Sequence, residues 1–175
     1  MDISTSDLCD QHPAMIAQGE VRVLPGEWVW FGSLRSFHGE VVTLNAEGCN
    51  GEIRALLTEP GNSRVLVIDA GQNPLALLGD NLAALARRNG WAGVVINGNV
   101  RDSQALAHIE LGIIAIGRWP ARSNNEKGSI VQEALHIRGV DVYPGDWLYA
   151  DEDGVLLSRT ELPFAKRFLR KATHS

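Results

Sequence analysis

Cysteine and basic charge are both scarce in this sequence. Its 175 residues include two cysteines, Cys9 and Cys49, and the formal net charge at pH 7 is −5. Two isolated cysteines supply neither a disulfide framework nor the paired ligands of a zinc site, which fits a protein of the reducing cytosol. Because an acidic chain has no positive footprint for a polyanion, we expect no direct contact with nucleic acid.

Long apolar runs and export signals are also missing. The longest apolar runs, such as residues 65–68 and 113–116, are far shorter than the roughly 20 residues of a membrane-spanning helix. The first seven residues are acidic and lack the basic region and apolar core of a signal peptide. We therefore expect a cytoplasmic protein that neither spans a membrane nor is anchored to one.

Several common catalytic motifs are absent as well. The sequence has no G-x-S-x-G elbow, no Walker loop, no G-x-G-x-x-G after a strand, and no zinc spacing among its five histidines. This argues against serine hydrolases, nucleotide-binding proteins and dinucleotide-dependent enzymes. The acidic residues 151–153 precede Gly154 but lack the remaining ligands of a calcium loop, so they predict a hairpin turn.

The segments that are present predict an α/β protein. Short β-branched runs predict strands at residues 40–44, 64–69, 92–97, 112–116, 140–143, 147–150 and 155–158. Helices are expected at 80–89, where Gly90 follows as a terminator, and at 103–109. The middle of the chain thus follows a β-α-β-α-β order, which favours parallel strands with right-handed crossovers.

The last third of the chain follows a different pattern. Closely spaced strands are joined by turn signals at residues 144–146 and 152–154, so this part is expected to be largely antiparallel. No repeat or long linker separates two units, and a single domain over residues 1–175 is expected. Residues 123–128 form the most polar loop. The tail 159–175 is expected to contain a short amphipathic helix from Glu161 and to fray at its end.

One candidate site lies at the start of the first predicted helix. Gly79, Asp80, Asn81 and Leu82 stand where a loop enters the helix, so free backbone N–H groups and the helix dipole favour an anion there. Asp80 also has a simple structural explanation, because aspartate is a preferred N-cap residue.

A second candidate pair, Arg101 and Asp102, follows the strand at 92–97 and opens the next helix. Loops that follow neighbouring parallel strands converge at one edge of the sheet, so this pair should lie near Asp80. A carboxylate is a hard ligand for Mg²⁺ or Mn²⁺, and a guanidinium can hold a substrate carboxylate through two hydrogen bonds. Read singly, Asp102 could be an N-cap and Arg101 a surface cation.

Together these segments resemble the regulator of ribonuclease activity A family, which includes class II 4-hydroxy-4-methyl-2-oxoglutarate aldolases. The specific feature is an aspartate, 20 intervening residues and then Arg-Asp, which Asp80 and Arg101-Asp102 match without a gap. The resemblance covers roughly residues 5–158. Its other matching segments are 7–10, 37–43, 79–82, 90–96, 98–102, 139–140, 144–146, 150–151 and 154–155.

The resemblance implies a swivelling β/β/α fold and a homotrimer with its active site between subunits. It implies that Asp102 binds a divalent cation, Mg²⁺ or Mn²⁺, and that Asp80 acts through a metal-bound water. Arg101 would hold the substrate carboxylate and act in catalysis with Asp102, while the turn from Gly79 through Asn81 to Leu82 would offer backbone N–H groups to the substrate.

The implied reaction is retro-aldol cleavage of 4-hydroxy-4-methyl-2-oxoglutarate, or a related 4-hydroxy-2-oxo acid, to pyruvate. Oxaloacetate decarboxylation would be a secondary activity, because it passes through the same enolate. The alternative is a regulator that binds and inhibits ribonuclease E without catalysis. The presence of Asp102 favours the enzyme. Methyltransfer in menaquinone synthesis, a third activity attached to the family, has no glycine-rich cofactor loop to support it.

The sequence departs from the family between Asp69 and Gly79. Family members often carry paired arginines there, whereas residues 70–78 contain none. We therefore expect fewer basic side chains near the substrate. The chain also lacks a C-terminal extension that supplies a carboxylate in some family aldolases, so the general base is unassigned and a metal-bound water is the best candidate.

Overall fold

A computed structural model describes residues 4–46, 51–123 and 130–163. In chain order, the elements are α1 (Thr5–Gln11), α2 (Pro13–Ala17), β1 (Val21–Val23), β2 (Val29–Trp30), β3 (Phe37–Asn45), α3 (Gly51–Thr58), β4 (Val65–Asp69), β5 (Ala76–Leu78), α4 (Asp80–Arg88), β6 (Gly93–Val100), α5 (Ser103–Leu106), β7 (Gly112–Arg118), β8 (Ile130–Val131), β9 (Leu135–Ile137), β10 (Val140–Val142), β11 (Trp147–Ala150) and β12 (Val155–Ser158).

The centre of the molecule is a parallel sheet in the order β3-β4-β6-β7. Val41 pairs with Val65, Val65 with Gly93, and Gly93 with Gly112, all in parallel register. Helices α3, α4 and α5 lie along the chain between these strands. The predicted β-α-β-α-β order is confirmed, because β-branched runs buried on both faces are what a parallel sheet requires.

Strand β3 joins this parallel sheet to an antiparallel one. Its first half pairs antiparallel with β11, whereas its second half pairs parallel with β4. Strand β11 also pairs antiparallel with β12, and β12 with β1. The expected antiparallel C-terminal part is therefore confirmed, and the whole forms the mixed α/β fold that the sequence predicts.

The two predicted turns connect β10 to β11 and β11 to β12. Gly145 has φ +81°, a left-handed conformation that glycine adopts at little cost. The Asp151 carboxylate accepts hydrogen bonds from the backbone N and the Oγ1 of Thr5, at 2.7 and 2.6 Å. The acidic segment thus attaches α1 to a hairpin, in agreement with the turn interpretation.

Both faces of the parallel sheet are covered. On one face, Leu66 and Ile68 pack into a buried cluster with Ile53 of α3 and Ala83 of α4. On the other, strand residues such as Val67 pack against the antiparallel β11 and β12. We therefore expect ligands to bind among the loops at the edge of the sheet where β4 and β6 end.

Several elements differ from the sequence prediction. Helix α5 ends at Leu106 rather than at residue 109. The sequence did not indicate the elements α1, α2, β1, β2, α3, β5, β8 and β9. The strands among these elements are two or three residues long, which is too short for an alternating apolar pattern to be seen. The predicted helix beyond Glu161 lies mostly outside the described residues, as does most of the polar loop.

Within the described ranges, no helix combines the length and apolar character needed to cross a membrane.

Candidate functional site

Strand β5 brings the two predicted loops together. It pairs parallel with the end of β6, with Ala76 opposite Asn99 and Leu78 opposite Val100. The Arg101 backbone N–H continues this pairing by donating to the Leu78 carbonyl at 2.9 Å. The turn that begins α4 and the Arg101-Asp102 turn therefore lie side by side.

Gly79 allows this close approach. A Cβ atom at this position would lie 2.6 Å from Asp102 Oδ2 and 3.3 Å from both Cγ and Nε of Arg101. The first distance is shorter than carbon and oxygen atoms tolerate, so any other residue would displace the Asp102 carboxylate. The backbone of Gly79 is extended, with φ −132°, and the requirement for glycine is therefore one of space.

Asp80 is the first residue of α4, and the N-cap position belongs to Gly79. The capping explanation for Asp80 is thus wrong: no side chain caps this helix, and the Asp80 carboxylate accepts from the neighbouring Asn81 backbone N at 2.7 Å. A carboxylate in the first helical turn is favoured by the helix dipole. The residue is partly exposed and lines a pocket.

Asp102 occupies the N-cap position of α5 without acting as a cap. Its side chain makes no capping hydrogen bond, and its backbone is left-handed, with φ 55° and ψ 38°. An N-cap residue normally has extended backbone angles, and a left-handed conformation costs a residue other than glycine about 1 kcal/mol. A strained residue persists only where the surrounding structure holds it in place, and such residues are common at functional sites.

The Arg101 and Asp102 side chains form an open ion pair. Arg101 Nε lies 3.2 Å from Asp102 Oδ2, and the two side chains are 34% and 37% exposed. Solvent screens a pair of this kind, so it contributes little to stability. Both groups are accessible to a ligand.

These residues line a pocket of about 90 Å³. It contains all six predicted site residues and two arginines that the sequence analysis did not single out, Arg54 from α3 and Arg122 from the segment after β7. The pocket therefore contains two basic side chains besides Arg101. Arg54 and Arg122 come from segments outside residues 70–78. The remaining lining residues are Ala76, Leu77 and Leu78.

The chemistry of the pocket suits a hard divalent cation. Asp80 and Asp102 both line it, and Mg²⁺ commonly binds through one or two carboxylates while retaining several waters. Among the described residues, no three or more histidine, cysteine or acidic side chains are arranged so that they could hold a metal ion together. The residues present thus fit a sparsely ligated Mg²⁺ or Mn²⁺ and not a cation such as structural Zn²⁺ that needs four protein ligands.

Comparison with known proteins places this chain in a class. A family model described as "RraA-like: Aldolase/RraA" matches residues 5–157. A relative from Burkholderia mallei, whose name proposes a 4-hydroxy-4-methyl-2-oxoglutarate aldolase, is 43% identical over 90% of this chain and 96% of its own.

Two solved structures are similar across their whole length. The RNA-processing inhibitor RraA from Thermus thermophilis is 40% identical, with a TM-score of 0.85 over 95% of this chain and 98% of that one. A structure named S-adenosylmethionine: 2-dimethylmenaquinone methyltransferase, from Geobacillus kaustophilus, is 36% identical, with a TM-score of 0.83 over 91% and 97%. The chain belongs to the RraA-like family, as its sequence resemblance indicates.

Proposed function

We propose that this protein is a divalent-metal-dependent aldolase that cleaves 4-hydroxy-4-methyl-2-oxoglutarate, or a related 4-hydroxy-2-oxo acid, to pyruvate. The observation that carries the proposal is the Asp102 carboxylate, which is held in a left-handed turn against Arg101 and caps no helix. The aldolase name of the Burkholderia mallei relative supports the same reaction class.

Each site residue has a part in this reaction. Asp102 is the proposed cation ligand, and Asp80 is proposed to act through a water. The guanidinium of Arg101 would bind the carboxylate beside the 2-oxo group, and the α4 N-terminus at Asn81 and Leu82 would offer backbone N–H groups to the same anion. A bound divalent cation would supply Lewis-acid stabilisation of developing negative charge.

The bond changes in the cleavage are simple. The C3–C4 bond breaks, the 4-hydroxyl group loses its proton and becomes a carbonyl, and the bonding electrons form the enolate of pyruvate. A proton added at C3 then completes pyruvate. In this proposal, Arg101 stabilises the enolate charge and also holds the adjacent carboxylate, because a preorganised cation beside developing negative charge lowers a barrier of this kind.

Decarboxylation of oxaloacetate would pass through the same enolate, with CO₂ leaving in place of a carbonyl compound. The same pocket would therefore support a secondary decarboxylase activity. Both substrates are small 2-oxo acids, which suits the limited volume of the pocket.

A second candidate function is regulation of RNA processing by protein contact. It is favoured by the similarity to a structure described as an RNA-processing inhibitor, and an acidic chain of net charge −5 could contact basic segments of ribonuclease E. The open Asp102 carboxylate has no role in that function, so the aldolase is the preferred proposal.

We also propose a homotrimer. Exposed apolar side chains cluster around the edge strand β2 and its partner β7, and they include Val29, Ile116 and Trp119 at 40%, 37% and 45% exposure. A subunit contact would remove this apolar surface from water. Sedimentation equilibrium gives the mass directly, and a monomer at micromolar concentration would contradict the proposal.

The aldolase proposal is tested by pyruvate release from 4-hydroxy-4-methyl-2-oxoglutarate and from oxaloacetate, with Mg²⁺ or Mn²⁺ and again with EDTA. We expect metal-dependent release that is lost in Arg101→Ala and kept in Arg88→Ala, an exposed arginine outside the pocket. Enzyme-free samples correct for spontaneous decay of oxaloacetate. A folded wild type that releases no pyruvate would contradict the proposal, and binding to ribonuclease E would then be measured.

A further inference from the structure

Two arginines of the pocket have no part in the proposed chemistry. Arg54 lies on α3, and Arg122 follows β7. In the part of the chain that the structure describes, neither guanidinium forms a hydrogen bond or an ion pair with another residue. Arg101, by comparison, is already paired with Asp102. The two remaining guanidinium groups are therefore available to a ligand.

The position of Arg122 is set by backbone pairing. The Ala76 N–H donates to the Ala121 carbonyl at 2.9 Å, and the Ser123 N–H donates to the Ala76 carbonyl at 3.1 Å. Arg122 thus lies beside β5 on the side opposite to β6. Since adjacent strands are about 4.8 Å apart, the segment that contains Arg122 and the end of β6 that leads into Arg101 are about 10 Å apart across β5.

Arg54 approaches the pocket from a different layer. It lies on α3, which packs against α4 through buried residues such as Ile53 and Leu57, and its side chain is on the exposed face of the helix. Three arginines from three separate segments thus line one small pocket. A guanidinium binds a carboxylate through parallel N–H donors more specifically than it binds any neutral group.

The charges of the pocket exceed what a monocarboxylate needs. Three arginines and two aspartates give a formal charge of +1, and a divalent cation would raise it to +3. One substrate carboxylate at Arg101 leaves two cationic groups uncompensated. A second carboxylate on the same substrate would lower the net charge of the occupied pocket from +2 to +1 and give these guanidinium groups an anionic partner.

We propose that Arg54 and Arg122 bind the distal carboxylate of the substrate, so that the pocket selects 2-oxo dicarboxylates over 2-oxo monocarboxylates. This inference rests on the proposed function, because it takes Arg101 as the anchor for the first carboxylate. Both 4-hydroxy-4-methyl-2-oxoglutarate and oxaloacetate carry the required second carboxylate. A 4-hydroxy-2-oxo monocarboxylate leaves Arg54 and Arg122 unpaired.

The test compares the binding of two acids that cannot undergo aldol cleavage. 2-Oxoglutarate and 2-oxopentanoate have the same chain length and differ in the distal carboxylate. Their dissociation constants are measured by isothermal titration calorimetry with Mg²⁺ present, for the wild type, Arg54→Ala, Arg122→Ala and the double variant. Arg88→Ala is the matched control, since it removes the same charge from an exposed position on α4 outside the pocket.

We expect the wild type and the Arg88→Ala control to bind 2-oxoglutarate about 10- to 100-fold more tightly than 2-oxopentanoate, the range that charge-assisted hydrogen bonds provide. Each single variant should lose part of this preference and the double variant all of it, with little change for 2-oxopentanoate. Circular dichroism establishes that the variants are folded.

Two results would overturn the inference. The wild type could bind 2-oxoglutarate and 2-oxopentanoate with equal affinity, or bind neither acid. Alternatively, the double variant could keep the wild-type preference for 2-oxoglutarate. Pyruvate release from 4-hydroxy-4-methyl-2-oxoglutarate is measured on the same samples. A dicarboxylate preference without pyruvate release would contradict the aldolase proposal alone, whereas pyruvate release without the preference would contradict the role of Arg54 and Arg122 alone.

Discussion

Two aspartates of this protein lie in turns beside arginines, yet their surroundings are opposite. Asp146, in the turn between β10 and β11, has a side chain that is 1% exposed. Its carboxylate accepts from Arg22 Nη2 at 2.7 Å, from Arg159 Nη1 at 3.2 Å and from the Tyr143 backbone N at 2.9 Å. Asp102 is 37% exposed and has one ion pair at 3.2 Å.

The difference separates a structural carboxylate from one that can bind a ligand. Asp146 has its acceptor capacity used by the protein itself, and both of its arginines also lie over the Tyr143 ring, at 5.6 and 4.1 Å from the centroid. Within the described residues, the Asp102 carboxylate has Arg101 as its ion-pair partner and makes no capping hydrogen bond, and its backbone is left-handed. Proximity to arginine alone thus does not distinguish the two carboxylates, whereas exposure in a pocket does.

The largest expected effect is on catalysis in Asp102→Ala. Removal of the proposed cation ligand should lower kcat for pyruvate release by about 1000-fold or more, which corresponds to about 4 kcal/mol. The free energy of unfolding should change little, because the ion pair is exposed. Steady-state kinetics and urea unfolding measure the two quantities. If Asp102→Ala released pyruvate at a rate near that of the wild type when Mn²⁺ is added, with metal-free samples as the control, the assignment would be contradicted.

Asp146→Ala should show the reverse. Loss of a buried carboxylate leaves the partly buried Arg22 without its charge partner, and we expect a loss of about 3 kcal/mol in the free energy of unfolding. The exposed Asp10→Ala is a matched control and should change stability by less than about 0.5 kcal/mol. Equal stability of the two variants in urea unfolding would show that the Asp146 network is not structural.

Gly79→Ala tests the close approach of the two loops. The added methyl group must push the Asp102 carboxylate away, and we expect kcat to fall about tenfold, since small displacements at a reacting centre are costly. Gly154→Ala is the control, because a Cβ there meets no atom within 4 Å. If kcat of Gly79→Ala equals that of the control, the position of Asp102 does not limit the reaction.

The smallest effect separates Asp102→Gly from Asp102→Ala. Glycine adopts the left-handed conformation without strain, so the glycine variant should be more stable than the alanine variant by about 1 kcal/mol, although both lack activity. Thermal and urea unfolding of the two proteins measure this difference. A glycine variant less stable than the alanine variant would mean that the turn is not strained.

The parts of this molecule that could be predicted from the sequence are those with long local signals. Strands β4 and β6 each contain an apolar run rich in β-branched residues, and α4 has an apolar stripe and a glycine after its end. The spacing of Asp80 and Arg101-Asp102 likewise predicts the pocket that they line.

Other features depend on distant contacts. Strand β5 has three residues and exists because it pairs with β6 and with the segment around Arg122, so neither it nor the arginine could be placed from local sequence. The left-handed backbone of Asp102 is equally invisible in the sequence. Helix α3 could have been found, since Ile53, Leu56 and Leu57 have helical spacing, and that helix would have drawn attention to Arg54.

The central claim, that Asp102 is a cation ligand, is tested most directly by Mn²⁺ binding measured through the electron paramagnetic resonance signal of free Mn²⁺. Asp102→Asn keeps the size of the side chain and removes its charge, while Asp153→Asn makes the same change on an exposed hairpin. We predict that the wild type and Asp153→Asn bind Mn²⁺ alike and that Asp102→Asn binds it at least about tenfold more weakly. Unchanged Mn²⁺ affinity in Asp102→Asn would contradict the claim.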